Sequence, residues 1–322
     1  MRPAFQILAC FLFVVVPRGL SAGEPAAVVE HRFEPRDSER DRVVPVKVYL
    51  AQSETPQKPS PVILFSHGLG GSRENNGYLG RHWAAAGYIA VFMQHAGSDE
   101  AVWKSVPIRQ RAQAMREAAS GRSKRSRIAD VPFVIDQLET WNAESGHLLE
   151  GKLDLNRIGM SGHSFGAVTT LDVAGRKYFN QDFEESRITA FCAFSPQPGN
   201  TRDAARAFGH LSKPMICMTG TKDKSAVNAS LKPSDRQKVY TALGPGDKYQ
   251  LVLKDGEHHA FGDSQGLRTR NRNPKHHPAI QQITLKFWDA YLKGDEGSKS
   301  WLQSQQPITT TELGEGDRWE WK

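Results

Sequence analysis

Short runs of consecutive apolar residues recur along most of the chain, and between them apolar positions return at helical spacing. The runs at 61–66, 88–93, 158–160, 188–194, 214–218 and 248–253 lack the alternation of a half-solvated strand. They predict strands buried on both faces of a parallel sheet. The stretch 42–50 does alternate, with Val44, Val46 and Val48 set against Pro45, Lys47 and Tyr49. It predicts an antiparallel edge strand, where a proline is tolerated. Helices are predicted at 79–86, 130–141, 167–174 and 280–292, the second carrying Val131, Val134, Ile135, Leu138 and Trp141 on one face. Strands that alternate with helices in this way predict an α/β domain, a mostly parallel central sheet with helices on both faces. Residues 23–40 and 296–322 show no core-forming pattern and read as a polar arm and a tail around one domain at 41–295.

The N-terminus stands apart from this pattern. Arg2 precedes an apolar run at 7–16, and Leu20, Ser21 and Ala22 supply small residues before Gly23. That is the pattern of a secretory signal peptide cleaved after Ala22, with an apolar run shorter than the roughly 20 residues a bilayer span needs. Its removal takes away Arg2 and Arg18 and leaves a formal charge of +5 out of +7. Cys192 and Cys217 then remain, each within its own predicted strand, which predicts two free core thiols. The segment 95–128 is a basic insertion whose charge lies in Arg109, Arg111, Arg116, Arg122, Lys124, Arg125 and Arg127. It reads first as a solvated helix and loop, and secondly as a rim that offers contact to an anionic substrate or surface. Aromatic residues are not interleaved with these charges, which argues against nucleic acid as a partner.

The chemistry centres on Gly162, Ser164 and Gly166, spaced as Gly-x-Ser-x-Gly between a short strand and an apolar helix. A serine at the apex of a strand-to-helix turn must hold strained backbone angles, so its near neighbours need to lack a Cβ. A serine hydroxyl becomes a nucleophile when a histidine takes its proton and a carboxylate orients that histidine. Asp223 follows a predicted strand through a Gly-x-x-Asp turn, and His258 with its neighbour His259 follows the last predicted strand. Asp255 and Asp263 are rivals for the acid, but they lie in the histidine's own loop. His276 and His277 offer a weaker alternative, a metal site shared with the first histidine pair. The strand at 61–66 runs into His67-Gly68-Leu69-Gly70-Gly71, which resembles the oxyanion loop of serine esterases. In that reading the N–H groups of Leu69 and Phe165 receive the oxyanion and His67 holds the loop. Trp103 is a candidate wall of the pocket.

Taken together, Arg42-Val43-Val44-Pro45-Val46, Ser66-His67-Gly68-Leu69-Gly70-Gly71, Gly162-His163-Ser164-Phe165-Gly166, Gly220-Thr221-Lys222-Asp223 and His258 resemble an α/β-hydrolase-fold serine esterase. The chain is similar to the dienelactone-hydrolase-like branch, which takes in the platelet-activating factor acetylhydrolases and the cutinase-like polyester hydrolases. The resemblance covers residues 40–295 and selects His258 over His259, because Gly-Glu-His-x-x-Phe is similar to the histidine loop of such esterases. It departs from dienelactone hydrolases proper, which use cysteine where this chain has Ser164. It departs also from the acetylhydrolases, whose acid follows the strand that here ends at Phe194. At that place this chain has only Ser195, Gln197 and Asn200, which moves the acid to Asp223, as in the polyester hydrolases. The resemblance implies an exported ester hydrolase without a cofactor, acting on a small-molecule, lipid or polymer ester. An acyltransferase or peptidase on the same triad, and a non-catalytic binding protein of this fold, are the alternatives.

Overall fold

The apolar runs assemble into a nine-stranded sheet in the computed structural model, which describes residues 27–52, 58–178, 181–199, 203–225, 227–263 and 272–322. The expected signal peptide, 1–22, lies outside the described residues. In chain order the strands are β1 (Val28–Phe33), β2 (Arg36–Asp37), β3 (Arg42–Val43), β4 (Val46–Ala51), β5 (Ser60–Ser66), β6 (Ile89–Met93), β7 (Leu153–His163), β8 (Ile188–Phe194), β9 (Met215–Lys222), β10 (Lys248–Glu257) and β11 (Arg318–Trp321). The sheet runs β1-β4-β6-β5-β7-β8-β9-β10-β11, with β2 and β3 forming a separate small ladder. Pairing is parallel from β6 through β10 and antiparallel at the two ends, β1–β4–β6 and β10–β11. The helices are α1 (Gly77–Ala85), α2 (Ala101–Lys104), α3 (Arg111–Ala118), α4 (Gly121–Ala143), α5 (Phe165–Val173), α6 (Ala204–Phe208), α7 (Pro233–Ala242), α8 (His276–Leu292), α9 (Glu296–Leu302) and α10 (Gln306–Thr309).

Successive side chains of a strand point to opposite faces, and here each face has its own core. Val62 and Leu64 of β5 join Val131, Val134 and Leu138 of α4 and Leu171 of α5. Ile63 and Phe65 go to the other side, with Trp83 of α1 and Ile283, Phe287 and Trp288 of α8. Each such aliphatic or phenyl side chain contributes about 1.5–3 kcal/mol on burial, which is why runs without alternation fold as central strands. The same sorting separates the thiols: Cys217 lies in the first core and Cys192 in the second, both free.

Four expectations are corrected. The arm at 23–40 contains β1, which pairs in register with β4 from Val28↔Ala51 to Phe33↔Val46. As a result β4 is an interior strand, and Pro45 sits just ahead of it. Lys47, only 4% exposed, is tolerated inside because Glu30 and Glu74 each hold its ammonium at 2.8 Å. The tail at 296–322 folds as α9, α10 and β11, burying Trp301, Leu302 and Trp319. Trp319 stacks on Tyr249 at 5.6 Å and donates its indole N–H to Leu302 O at 2.8 Å, so isolated tryptophans do the work of a periodic stripe. Finally, α4 begins at Gly121, capped by Ser120 Oγ accepting from Ser123 N at 3.1 Å, and carries Arg127 into the interior. Glycine and serine at 120–126 read as breakers, yet here they are the cap and first turns of a long helix.

Candidate active site

β7 turns into α5 at Ser164, whose φ of 57° and ψ of −110° lie outside the regions L residues ordinarily adopt. The turn is forced by close packing. A Cβ on Gly166 would lie 1.8 Å from Ser66 O, and one on Gly162 would lie 2.4 Å from the Gly166 carbonyl. Only glycines let α5 start against β5 and β7 at this distance. Ser164 N–H donates to Phe194 O at 2.9 Å, which leaves the hydroxyl at the C-terminal edge of the sheet.

Two other strand ends meet it there. His258 begins the single 3₁₀ turn that follows β10, and its Nε2 lies 2.9 Å from Ser164 Oγ. Its Nδ1 lies 2.7 Å from Oδ1 of Asp223, which follows β9 and is fully buried. Burial alone would raise the Asp223 pKa; the His258 hydrogen bond and the Arg236 guanidinium outweigh it and hold the carboxyl below its ordinary value. Thr219 Oγ1 donates to Asp223 Oδ2 at 2.9 Å, and Arg236 Nε sits 3.0 Å from Oδ1. Arg236 also donates to Ser195 O at 2.8 Å, so the position after β8 serves to hold the guanidinium. His163 packs its ring 4.7 Å from the His258 ring and places Nε2 3.1 Å from His258 O.

The rivals fall elsewhere. Asp255 pairs with Lys222 at 2.9 Å, and Asp263 accepts from Asn76 N at 2.8 Å. His259 lines the cleft, but the bonds to Ser164 and Asp223 belong to His258. His277 stacks on Tyr78 at 4.0 Å with Nε2 3.0 Å from Gly262 O. The cleft above Ser164 has a volume of about 360 Å³, and Leu69, Trp103, Met115, Val227, His259 and Asp263 are among its walls. The glycine loop at 68–71 is held by hydrogen bonds of its own backbone. Trp103 Nε1 donates to Gly70 O at 2.7 Å, Gly70 N to Ser98 O at 2.9 Å, and Gly71 N to Gly68 O at 3.0 Å.

Sequence reasoning missed a second set of polar groups, buried behind this loop. Asp130 accepts from Arg40 Nη1 and Arg42 Nε, both at 2.8 Å, and from His95 Nδ1 at 2.8 Å. His95 Nε2 lies 2.9 Å from Ser66 Oγ, and His95 N donates to His67 Nε2 at 3.0 Å. Burial first, and Arg127 second, lower the His95 pKa to about 4, so the ring is neutral with its proton on Nδ1 facing Asp130. Burial lowers the His67 and His163 values as well.

An unfolded histidine titrates near 6.5, so between about pH 6.5 and pH 4 the unfolded chain binds protons that folded His95 refuses. Stability therefore falls as the pH drops through that window. The melting temperature is expected to decrease steadily from pH 7 to pH 4.5, with a shallower decrease in His95→Gln. A midpoint that stays level across the window would contradict the neutral buried histidines.

Residues 43–137 match the model of a family described as platelet-activating factor acetylhydrolase, isoform II. Among solved structures, the ferulic acid esterase from Streptomyces cinnamoneus superposes with a TM-score of 0.61 at 16% identity, covering 86% of this chain and 93% of that one. No curated protein matches the chain. The structural likeness bears out the expected α/β-hydrolase fold, and residues 43–137 are similar to the acetylhydrolase family. The family match spans β4, β5, β6 and most of α4, with the glycine loop and Arg127, while Ser164, Asp223 and His258 lie beyond it.

Proposed function

We propose that this chain is an exported serine hydrolase that cleaves carboxylic esters through an acyl-enzyme, with Ser164 as nucleophile, His258 as base and acid, and Asp223 as the orienting carboxylate. The observation that carries the reading is His258 bridging the other two at 2.9 and 2.7 Å, with Ser164 held at the strained turn. Ser164 Oγ gives its proton to His258 Nε2 as it bonds to the ester carbonyl carbon, and the carbonyl π pair moves onto oxygen. That oxyanion is received by the N–H groups of Leu69 and Phe165; Leu69 lines the cleft, and Phe165 opens α5 directly after the nucleophile. Collapse re-forms the carbonyl, breaks the bond to the alcohol oxygen, and sends the Nε2 proton to that oxygen. Water then repeats the sequence on the acyl-enzyme, releasing the acid and returning the proton to Ser164. Asp223 stays ionised throughout, and its depressed pKa suits that task. The leader pattern expected at 1–22 supports export, and the cleft's apolar walls favour an acyl or aryl group beside the reacting carbonyl.

The test uses a fluorophosphonate probe and a series of p-nitrophenyl esters on the mature chain. One covalent adduct, mapped to the peptide that holds Ser164, together with turnover of at least one ester, is the expected result. A chain that neither takes the label nor releases p-nitrophenol sinks the reading.

A further inference from the structure

We propose that Arg127 is a positioning residue of the oxyanion loop, a buried guanidinium that aims the Leu69 N–H at the cleft and places a positive charge behind the developing oxyanion. The inference rests on the serine-esterase reading above. Arg127 is 0% exposed, and among the described residues no carboxylate lies within ion-pair distance of it. Its partners are neutral. Nη1 donates to His67 O at 2.7 Å and to Ser66 Oγ at 3.3 Å, and Nε donates to Ser98 Oγ at 2.8 Å. Nη2 donates to Ser98 O at 3.4 Å and to Gly68 O at 3.5 Å, and lies 3.3 Å from His67 Nδ1. The guanidinium carbon lies 4.5 Å from the centre of the Phe165 ring. One side chain therefore touches both segments that supply oxyanion donors.

The geometry of the peptide group makes this contact directional. Gly68 O and Leu69 N–H belong to one planar trans unit, in which C=O and N–H point in opposite directions. Gly68 O is drawn away from the cleft by three donors: Arg127 Nη2, the His67 ring at 2.6 Å, and Gly71 N at 3.0 Å. The Leu69 N–H on the far side of the same unit must then face the other way, toward Ser164. His67 can donate because its Nε2 already accepts from His95 N, which puts its proton on Nδ1.

The charge matters as well as the bonds. A buried cation without a direct counter-ion is costly, and a neutral side chain of similar length would fill the space without that cost. Asp130 and Asp99 compensate the charge only from a distance, Asp130 through Ser66 and His95. That arrangement leaves the guanidinium's field directed at the loop. A preorganised charge of this kind acts most strongly where negative charge appears in the transition state and water is absent.

The test compares Arg127→Met, which keeps the length and loses the charge and donors, with Arg127→Lys, which keeps a point charge. Kinetics on a p-nitrophenyl ester are expressed per active site titrated by the fluorophosphonate, and melting curves report folding. In Arg127→Met, kcat is expected to fall about 100-fold with KM within about threefold of wild type, and Arg127→Lys is expected to recover about fivefold or more of that loss. A folded Arg127→Met whose kcat per titrated site stays within about threefold of wild type overturns the proposal. Should Arg127→Met fail to fold, Arg127→Lys decides. A kcat reduced about fivefold or more at unchanged KM supports the role, and an unchanged kcat overturns it. An inactive wild type overturns the esterase reading and this one together, whereas an active wild type with indifferent Arg127 variants overturns this one alone.

Discussion

Replacing Asp223 with alanine is expected to lower kcat for ester hydrolysis by about 10,000-fold, a loss typical of removing the acid from such a triad. The neighbourhood explains why so much is lost. His258 Nδ1 has two candidate donors or acceptors near it: Asp223 Oδ1 at 2.7 Å and Arg236 Nη2 at 3.4 Å. The carboxylate keeps the ring proton on Nδ1 and the lone pair on Nε2, facing Ser164. Without it, the nearest polar group is a guanidinium, which can only donate. The ring would then move its proton to Nε2 and present Ser164 with a donor where it needs a base. The same guanidinium would repel the imidazolium as it forms. Adding Arg236→Gln to the Asp223→Ala variant should therefore recover about tenfold or more, because the wrong tautomer is no longer enforced. The check is kcat per titrated site for both variants, with circular dichroism for the fold. A folded Asp223→Ala enzyme within about tenfold of wild type would falsify the orienting role.

Gly166→Ala is expected to abolish the folded enzyme. The added methyl would meet Ser66 O at 1.8 Å and His67 O at 2.9 Å, both backbone atoms of the strand that leads into the glycine loop. Backbone cannot rotate away as a side-chain tip can, so α5 must lift from the sheet and carry Ser164 with it. Such overpacking costs about 3 kcal/mol or more, and here it falls on the element that positions the nucleophile. Gly121→Ala is the matched control. Its Cβ would meet nothing nearer than Arg125 Nη1 at 3.7 Å, and alanine favours the helix that begins there. Expression, melting temperature and fluorophosphonate labelling should collapse in the first variant and hold in the second.

The candidate triad was legible because each member sits where an apolar run stops. Ser164 follows β7, Asp223 follows β9 and His258 follows β10, and a buried strand ending in a turn residue is visible without any structure. Arg127 and Arg236 were not legible. Arg127 in its basic run and Arg236 between Asp235 and Gln237 both read as solvent-facing, and only the fold reveals that Arg127 lies under Phe165 and Arg236 under Asp223. The sheet's edges failed for a related reason. β1 interleaves charges that are satisfied by partners far away in the chain, Glu30 with Lys47 and Arg81 for example. β11 is a four-residue strand whose inward contact is a single indole, too short for any period to register. Periodicity reports burial in bulk water's terms, and it cannot see a polar group that brings its own solvation.

The opposite placement of Cys192 and Cys217 reaches beyond packing. In the ladder Cys192 stands beside Ile216 and Cys217 beside Ala193, so the two sulfurs project from opposite faces and the sheet itself separates them. No crosslink can form between them in the native state, and burial raises both thiol pKa values, that of Cys217 to about 12. Neither is a thiolate near neutral pH, so neither is reactive in the native fold. Only the unfolded chain is vulnerable, since there the two cysteines can meet, and a disulfide made at that stage would have to be reduced before the sheet could close. Among the described residues the native state thus needs no disulfide, and reaching it is favoured by speed.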